Sequence, residues 1–158
     1  MPEGKIIKAL SGFYYVLDES LESGKVIQCR ARGIFRKNKI TPLVGDYVVY
    51  QADNDKEGYL LEVKERTNEL IRPPISNVDQ AVLVFSAAEP TFSTSLLDRF
   101  LVLVEESQIE PIICITKMDL LKTEQERETI QAYAEDYRQI GYDVHLTSTI
   151  EGDGIEKL

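Results

Sequence analysis

Ile112-Ile113-Cys114-Ile115-Thr116-Lys117-Met118-Asp119-Leu120 is the stretch on which the reading of this chain turns. Residues 111–115 form an apolar, largely β-branched run, the pattern of a strand buried on both faces of a parallel sheet. The run stops in Thr-Lys-x-Asp, a polar tetrad at the strand's carboxyl end. In doubly wound α/β sheets, ligands bind outside the carboxyl ends of the strands. A carboxylate there, Asp119, can accept two parallel hydrogen bonds, from guanine N1–H and the exocyclic amine. Adenine has an acceptor at N1 and no amine at C2, so it would leave that carboxylate unpaired at a cost. The stem of Lys117 can lie along base or ribose while its ammonium stays in polar surroundings. Thr116, Lys117, Met118 and Asp119 are therefore the candidate nucleotide-binding residues, with an ordinary charged strand-to-helix turn as the plain alternative.

Composition bounds what surrounds this stretch. A chain of 158 residues has room for one medium domain or two small ones, and its apolar share of 43% is that of a globular protein. No apolar run approaches the roughly 20 residues of a membrane span, and the first residues lack the apolar core of a signal peptide. Cys29 and Cys114 sit in strand-like patterns without metal-ligand spacing, and with the lone His145 they cannot make a zinc site. Two buried free thiols suit a reducing cytosol. The expectation is a cytoplasmic monomer with no membrane partner. The net charge of −9 is unevenly spread. Residues 1–50 hold eight Lys/Arg against five Asp/Glu (+3), and residues 51–158 hold ten against twenty-two (−12). That asymmetry points to a polyanion-binding surface confined to the N-terminal part.

Taken in order, residues 4–17 are β-rich, with Ser11-Gly12 marking a bulge or bend. Residues 18–24 read as a polar turn, 25–31 as a second strand, 44–50 as a third and 59–66 as a fourth, with a short fifth near Leu70. Several short strands at this spacing predict a small antiparallel barrel of OB type over residues 1–72. Residues 73–77 read as an extended, proline-biased linker. From 78 onward the pattern alternates strand and helix. A buried strand (78–86) is followed by a helix starting near Ser93, with Asp98 in its first turn and Leu97, Phe100, Leu101 and Val104 inward. The tetrad strand comes next. Thr123-Glu-Gln-Glu126 is a capping box opening a helix with Ile130, Tyr133, Ala134, Tyr137 and Ile140 inward, closed by Gly141. A third strand ends in Thr147-Ser148-Thr149, and residues 150–155 form a loop into a last helix start. This βαβαβ order predicts a partial doubly wound parallel α/β domain over 78–158.

The third strand supports the tetrad, because adjacent strands bring both carboxyl ends together. Small residues at 147–149 allow backbone N–H groups to approach a carbonyl such as guanine O6. A phosphate loop, Gly-x4-Gly-Lys-[Ser/Thr], is absent from these residues. Ser23-Gly24-Lys25 is the nearest string, but residue 19 is Glu and no helix follows. Either the chain is not a GTPase, or its motifs are circularly permuted and the phosphate half lies beyond Leu158.

The chain resembles the circularly permuted GTPases called ribosome small-subunit-dependent GTPase A, their Bacillus-like members in particular. The marks run the length of the chain: Gly45-Asp46, Arg66, Leu70-Ile-Arg-Pro73, Asn77-Val-Asp-Gln80, Leu97-Asp-Arg-Phe-Leu-Val102, Thr116-Lys-Met-Asp-Leu120 and Thr147-Ser-Thr149. The resemblance implies an OB domain, a permuted GTPase domain and a C-terminal zinc domain. It implies binding to the small (30S) ribosomal subunit and its rRNA late in assembly, and hydrolysis of GTP to GDP with Mg²⁺ there. By resemblance Lys117 and Asp119 read guanine, and Ser148 and Thr149 contact O6. Two features depart from the family: Thr116 stands where many GTPases have Asn, and the 150–154 loop diverges. Residues for the phosphate loop, Mg²⁺ and Zn²⁺ are expected beyond these 158, so this portion alone is expected to be inactive. The competing readings are a non-catalytic OB-type RNA-binding module with a vestigial α/β domain, and a flavodoxin-like or receiver-like domain.

The basic segment carries the RNA expectation. Arg30, Arg32, Arg36, Lys37 and Lys39 fall within ten residues that hold no acid, and OB-type barrels bind nucleic acid on a strand face flanked by loops. Phe35, among them, suits either base stacking or burial as a barrel plug.

Overall fold

The computed structural model describes residues 1–18 and 24–158, with only the backbone of Arg36. The expected polar turn at 18–24 and the Ser23-Gly24-Lys25 string therefore fall largely outside the described residues. The chain divides into two compact units, Met1–Val78 and Asp79–Leu158.

The first unit is a closed five-stranded barrel in the order β1-β2-β3-β5-β4. Strands β1 (Glu3–Leu10) and β2 (Phe13–Asp18) form a hairpin. Ser11 and Gly12 both have positive φ (53° and 81°), so the expected bend is a two-residue turn whose twist matches its strands. Strand β3 (Lys25–Ala31) lies antiparallel to β2, then pairs in parallel with β5 (Glu57–Val63), which returns antiparallel to β4 (Tyr47–Ala52). The barrel is thus antiparallel except at β3·β5. Alternation sends Ile6, Val16, Ile27, Cys29, Val48, Tyr50 and Leu60 inward as one core. Inside it the Tyr50 hydroxyl donates to Asp18 at 2.6 Å.

Two expectations change here. The basic segment contains a short helix, α1 (Gly33–Lys37), and its Phe35 is buried in the barrel core at 4% exposure. Phe35 is a plug and offers no face to a base. Nor is 73–77 an extended linker. Ile75–Ser76 (β7) pairs with Glu69–Leu70 (β6), and Val44 bridges to Ile75. The cause is Asp46, fully buried and held by Arg66 Nε (2.8 Å), Arg66 Nη2 (2.9 Å), the Leu43 N–H (2.7 Å) and the Ser76 hydroxyl. Gly45 makes this possible: at φ 95° its Cα lies so near Ser76 that a Cβ would stand 2.0 Å from the Ser76 carbonyl oxygen.

The second unit is a parallel sheet in the order β10-β9-β8. Strand β8 (Gln80–Ser86) leads through α2 (Thr94–Glu106) to β9 (Glu110–Thr116), and α3 (Glu124–Ile140) leads to β10 (Asp143–Leu146). Ser93 caps α2, and the capping box of α3 forms as expected, with Gly141 closing the helix at φ 118°. Both helices pack on the face that carries Leu83, Phe85, Ile113, Ile115 and Val144. The opposite face has no helix over it among the described residues, and Val82 and Val84 are 46% and 62% exposed. Three residues expected inward, Phe100, Tyr133 and Ile140, are exposed. Asp98 lies past the first turn of α2 and accepts from the Tyr137 hydroxyl at 2.6 Å.

Candidate functional site

The tetrad begins where β9 ends. Burial of Ile113, Cys114 and Ile115 fixes this central strand rigidly, and Lys117 breaks it by adopting left-handed backbone (φ 59°, ψ 35°). One 3₁₀ turn, Met118–Leu120, follows and turns Asp119 back across the strand ends. Just past the end of β10, Thr147 donates its N–H to Ile115 O (2.8 Å) and its carbonyl accepts from Met118 N (3.2 Å). The two carboxyl ends are thereby locked side by side.

Ser148 is the joint between them. Its hydroxyl donates to Asp119 Oδ1 at 2.7 Å and accepts from Glu151 N–H at 3.2 Å, and Ser148 itself is buried. A carboxylate held on one oxygen has its plane fixed and keeps acceptor capacity for a ligand with two parallel donors. The Ser148 N–H is already bonded to Asp153 O (3.0 Å). Thr149 is exposed, and among the described residues its N–H has no acceptor. Gly154 carries the return of this loop, since a Cβ there would stand 2.1 Å from the Leu146 carbonyl oxygen.

Thr116 and Lys117 reach the other way, toward β8. The Thr116 hydroxyl donates to Phe85 O (3.3 Å), and its carbonyl accepts from Ala87 N (2.8 Å). The Lys117 ammonium donates to Glu89 O at 2.6 Å, so its exposed stem spans from the end of β9 to the loop after β8. Met118 is half-buried against the core, and its N–H is the one bonded to Thr147 O. Thr116, Lys117, Met118, Asp119, Ser148 and Thr149 thus converge on one end of the sheet. The Glu89 and Asp153 carbonyls and the Glu151 N–H were not foreseen, because backbone partners leave no side-chain signal in a sequence.

The five basic residues of the barrel divide into two groups. Arg30, on β3, lies over the Phe13 ring at 5.0 Å from its centroid. Arg32 lies over Tyr59 at 5.9 Å and donates to Gln51 at 3.2 Å. Lys37 ends α1, Lys39 follows it, and both are exposed. The side chain of Arg36 lies outside the described residues. Among the described residues, Arg30, Arg32, Lys37 and Lys39 form no ion pair.

Among the described residues no three His, Cys, Asp or Glu side chains converge as a metal site would require. Nor, among the described residues, is any helix long and apolar enough to cross a membrane.

Comparison with known proteins covers both units. Residues 3–60 match the family described as RsgA N-terminal domain, and residues 63–158 match RsgA GTPase. A protein of Bacillus pumilus named small ribosomal subunit biogenesis GTPase RsgA is 93% identical over all 158 residues, which cover 53% of its length. The protein of that name from Bacillus subtilis is 79% identical over 155 residues, 98% of this chain and 52% of its own. Among solved structures, YloQ, described as a circularly permuted GTPase, matches 94% of the chain and 52% of its own at 82% identity and a TM-score of 0.82. YjeQ from Thermotoga maritima matches 99% of the chain and 55% of its own at 36% identity and 0.86. The chain spans about half the length of the curated relatives it matches.

Proposed function

This chain belongs to the RsgA GTPase family, and from that premise we propose that it supplies the guanine-reading and RNA-binding parts of a GTP-hydrolysing factor for small ribosomal subunit assembly. The observation that carries the reading is the 2.7 Å hydrogen bond from Ser148 to Asp119. It holds one carboxylate oxygen so that the group meets guanine N1–H and N2–H₂ edge-on, and adenine cannot repay the burial of that charge. Lys117 forms the wall on which base or ribose rests, with its ammonium anchored on Glu89 O. O6 is met by the free Thr149 N–H, because the Ser148 N–H is already taken.

The phosphate-binding half comes from the remainder of the polypeptide. The free edge of β8 and the exposed Val82 and Val84 support that division, since parallel sheets are ordinarily covered on both faces. The barrel unit docks the factor on rRNA of the small subunit in the cytoplasm, and the α/β unit reads the nucleotide, the whole acting as a monomer. Arg30, Arg32, Arg36, Lys37 and Lys39 are assigned to RNA contacts, each phosphate contact among them adding about 0.7 to 0.9 to the slope of log affinity against log salt.

The test uses the full-length protein beside residues 1–158. The full-length protein is expected to hydrolyse GTP with Mg²⁺, and residues 1–158 to release no phosphate and bind GTP more weakly, since phosphate contacts supply most of a triphosphate's binding energy. Replacing Arg36, Lys37 and Lys39 by Ser should flatten the salt slope for the small subunit by roughly two units and leave GTP affinity unchanged. Phosphate release by residues 1–158 at the full-length rate would overturn the division of labour, and an unaltered slope would remove the segment from the RNA contact.

A further inference from the structure

The barrel's outer face carries a row of side chains aligned by strand register. Leu10 pairs with Phe13, Phe13 with Arg30, Arg30 with Tyr59, and Tyr59 with Gln51. Directly paired residues point to the same side of a sheet, so these stand shoulder to shoulder on one surface. Arg30 is flanked by two rings, with its guanidinium 5.0 Å from the Phe13 centroid, and Lys8 lies 5.1 Å from that of Tyr15 in the next row. All four cation–aromatic pairs among the described residues lie on the barrel. Unpaired nucleobases stack on aromatic faces and on guanidinium planes alike.

This row borders a cleft of about 150 Å³, lined by Phe13, Gln28, Arg30, Asp53, Glu57 and Tyr59, room of the order of one nucleobase. Its Phe13 follows the Ser11-Gly12 turn and its Asp53 opens the 53–56 loop, the two connections that flank the ligand face of an OB-type barrel. Two carboxylates stand at its far wall. Among the described residues neither the Asp53 nor the Glu57 side chain accepts a hydrogen bond or joins an ion pair. Carboxylates repel a phosphate, so the sugar-phosphate backbone stays outside, toward Arg32. Toward a base they act as acceptors, and they are satisfied by an exocyclic amine. Adenine, cytosine and guanine have one. Uracil has none, and its single N3–H donor is flanked by two carbonyls whose lone pairs oppose a carboxylate.

We infer that this cleft holds one unpaired, amine-bearing nucleobase of single-stranded RNA, stacked on the Phe13–Arg30–Tyr59 platform with Asp53 or Glu57 accepting from its amine. The inference rests on the reading of the barrel as the RNA-binding unit and adds to it a contact that reads the base rather than the phosphate. Phosphate contacts weaken with salt, whereas stacking carries no such dependence. The two contributions therefore separate in one titration.

The experiment is fluorescence anisotropy of the full-length protein with labelled oligo(A), oligo(C) and oligo(U) of about eight nucleotides, within the usual site size of one such barrel, at several salt concentrations. Wild type is expected to bind oligo(A) and oligo(C) about tenfold more tightly than oligo(U), the discrimination of one good base contact. Phe13→Ala and Tyr59→Ala should each weaken oligo(A) and oligo(C) by about fivefold or more while leaving the salt slope unchanged. Asp53→Asn combined with Glu57→Gln changes two exposed positions, and should narrow the gap between oligo(C) and oligo(U). Equal affinity of wild type for all three oligomers, or aromatic variants that bind like wild type, overturns the cleft and leaves RNA binding by the barrel standing. A wild type that binds none of them overturns the RNA-binding reading, and this inference with it.

Discussion

Among the described residues every barrel strand has two partners, β1 meeting β2 and β4, and β5 meeting β3 and β4; in the α/β sheet only β9 does. Closure leaves the barrel no strand edge and one complete core. The sheet, among the described residues, has edges at β8 and β10, and the face bearing Val82 and Val84 stands open. The two units also divide their chemistry. Among the described residues the cation–aromatic pairs lie on the barrel, and the hydrogen bond from buried Ser148 to half-buried Asp119 lies at the ends of β9 and β10. A unit closed on itself can present a binding surface alone. An open sheet positions residues at its strand ends and leaves a face that a further layer could cover.

Substitutions in the two units should separate them. The largest effect is expected from Leu60→Ala at the centre of the barrel, fully buried: about 4 kcal/mol of barrel stability, within the usual span for such deletions. Val84→Ala on the open face should cost less than about 0.5 kcal/mol in residues 1–158. Its cost should rise severalfold in the full-length protein if that face is covered there. Urea unfolding of both forms decides the matter, and equal costs for Val84→Ala in the two would show that the face stays open.

Next is Asp46→Ala. It removes the acceptor of Arg66, Ser76 and the Leu43 N–H at once, and the Arg66 guanidinium, whose pKa Asp46 raises, loses its main partner. A loss of about 3 kcal/mol is expected in the barrel transition, with the α/β transition unmoved. A loss shared by both transitions would show that the 66–78 segment belongs energetically to both units.

A smaller effect belongs to the α3 capping box. Thr123→Ala should cost the α/β unit about 1 kcal/mol. Glu126 accepts from the Thr123 and Lys122 N–H groups, which hold its carboxyl below the ordinary glutamate value. A lowered folded-state pKa means that its contribution is complete above the ordinary value and is lost as pH falls through the lowered one. Glu126→Gln and wild type should therefore differ at neutral pH and converge in acid. A difference that persists at the lowest pH would exclude the charged cap.

What could be read in the sequence was local. The β9 run and its tetrad, the capping box with Gly141, and the small residues at 147–149 each carry their signal within a few positions. Cys29 and Cys114 are buried free thiols as their strand patterns suggested, burial raising the Cys29 thiol to about 11. What was missed was distant. The parallel β3·β5 pairing joins strands about 30 residues apart, and the 73–77 segment is held to the barrel by Asp46 and Val44, which its prolines could not reveal. Phe100 and Ile140 match helical spacing, yet lie beyond the stripe that the described sheet covers. For the site, adjacency of the two strand ends was legible. The direction of the Ser148 hydroxyl was not, and it is what orients Asp119.

The reading of Asp119 as the base selector is tested most directly by Asp119→Asn in the full-length protein, with GTP and xanthosine triphosphate competing for the site. The amide keeps one acceptor and replaces the other with a donor, so it should lose the guanine N2–H₂ and gain the xanthine O2. The expected result is a reversal of preference, with GTP weakened, xanthosine triphosphate improved and binding to the small subunit's RNA through the barrel unchanged. A guanine preference that survives the substitution would contradict the account.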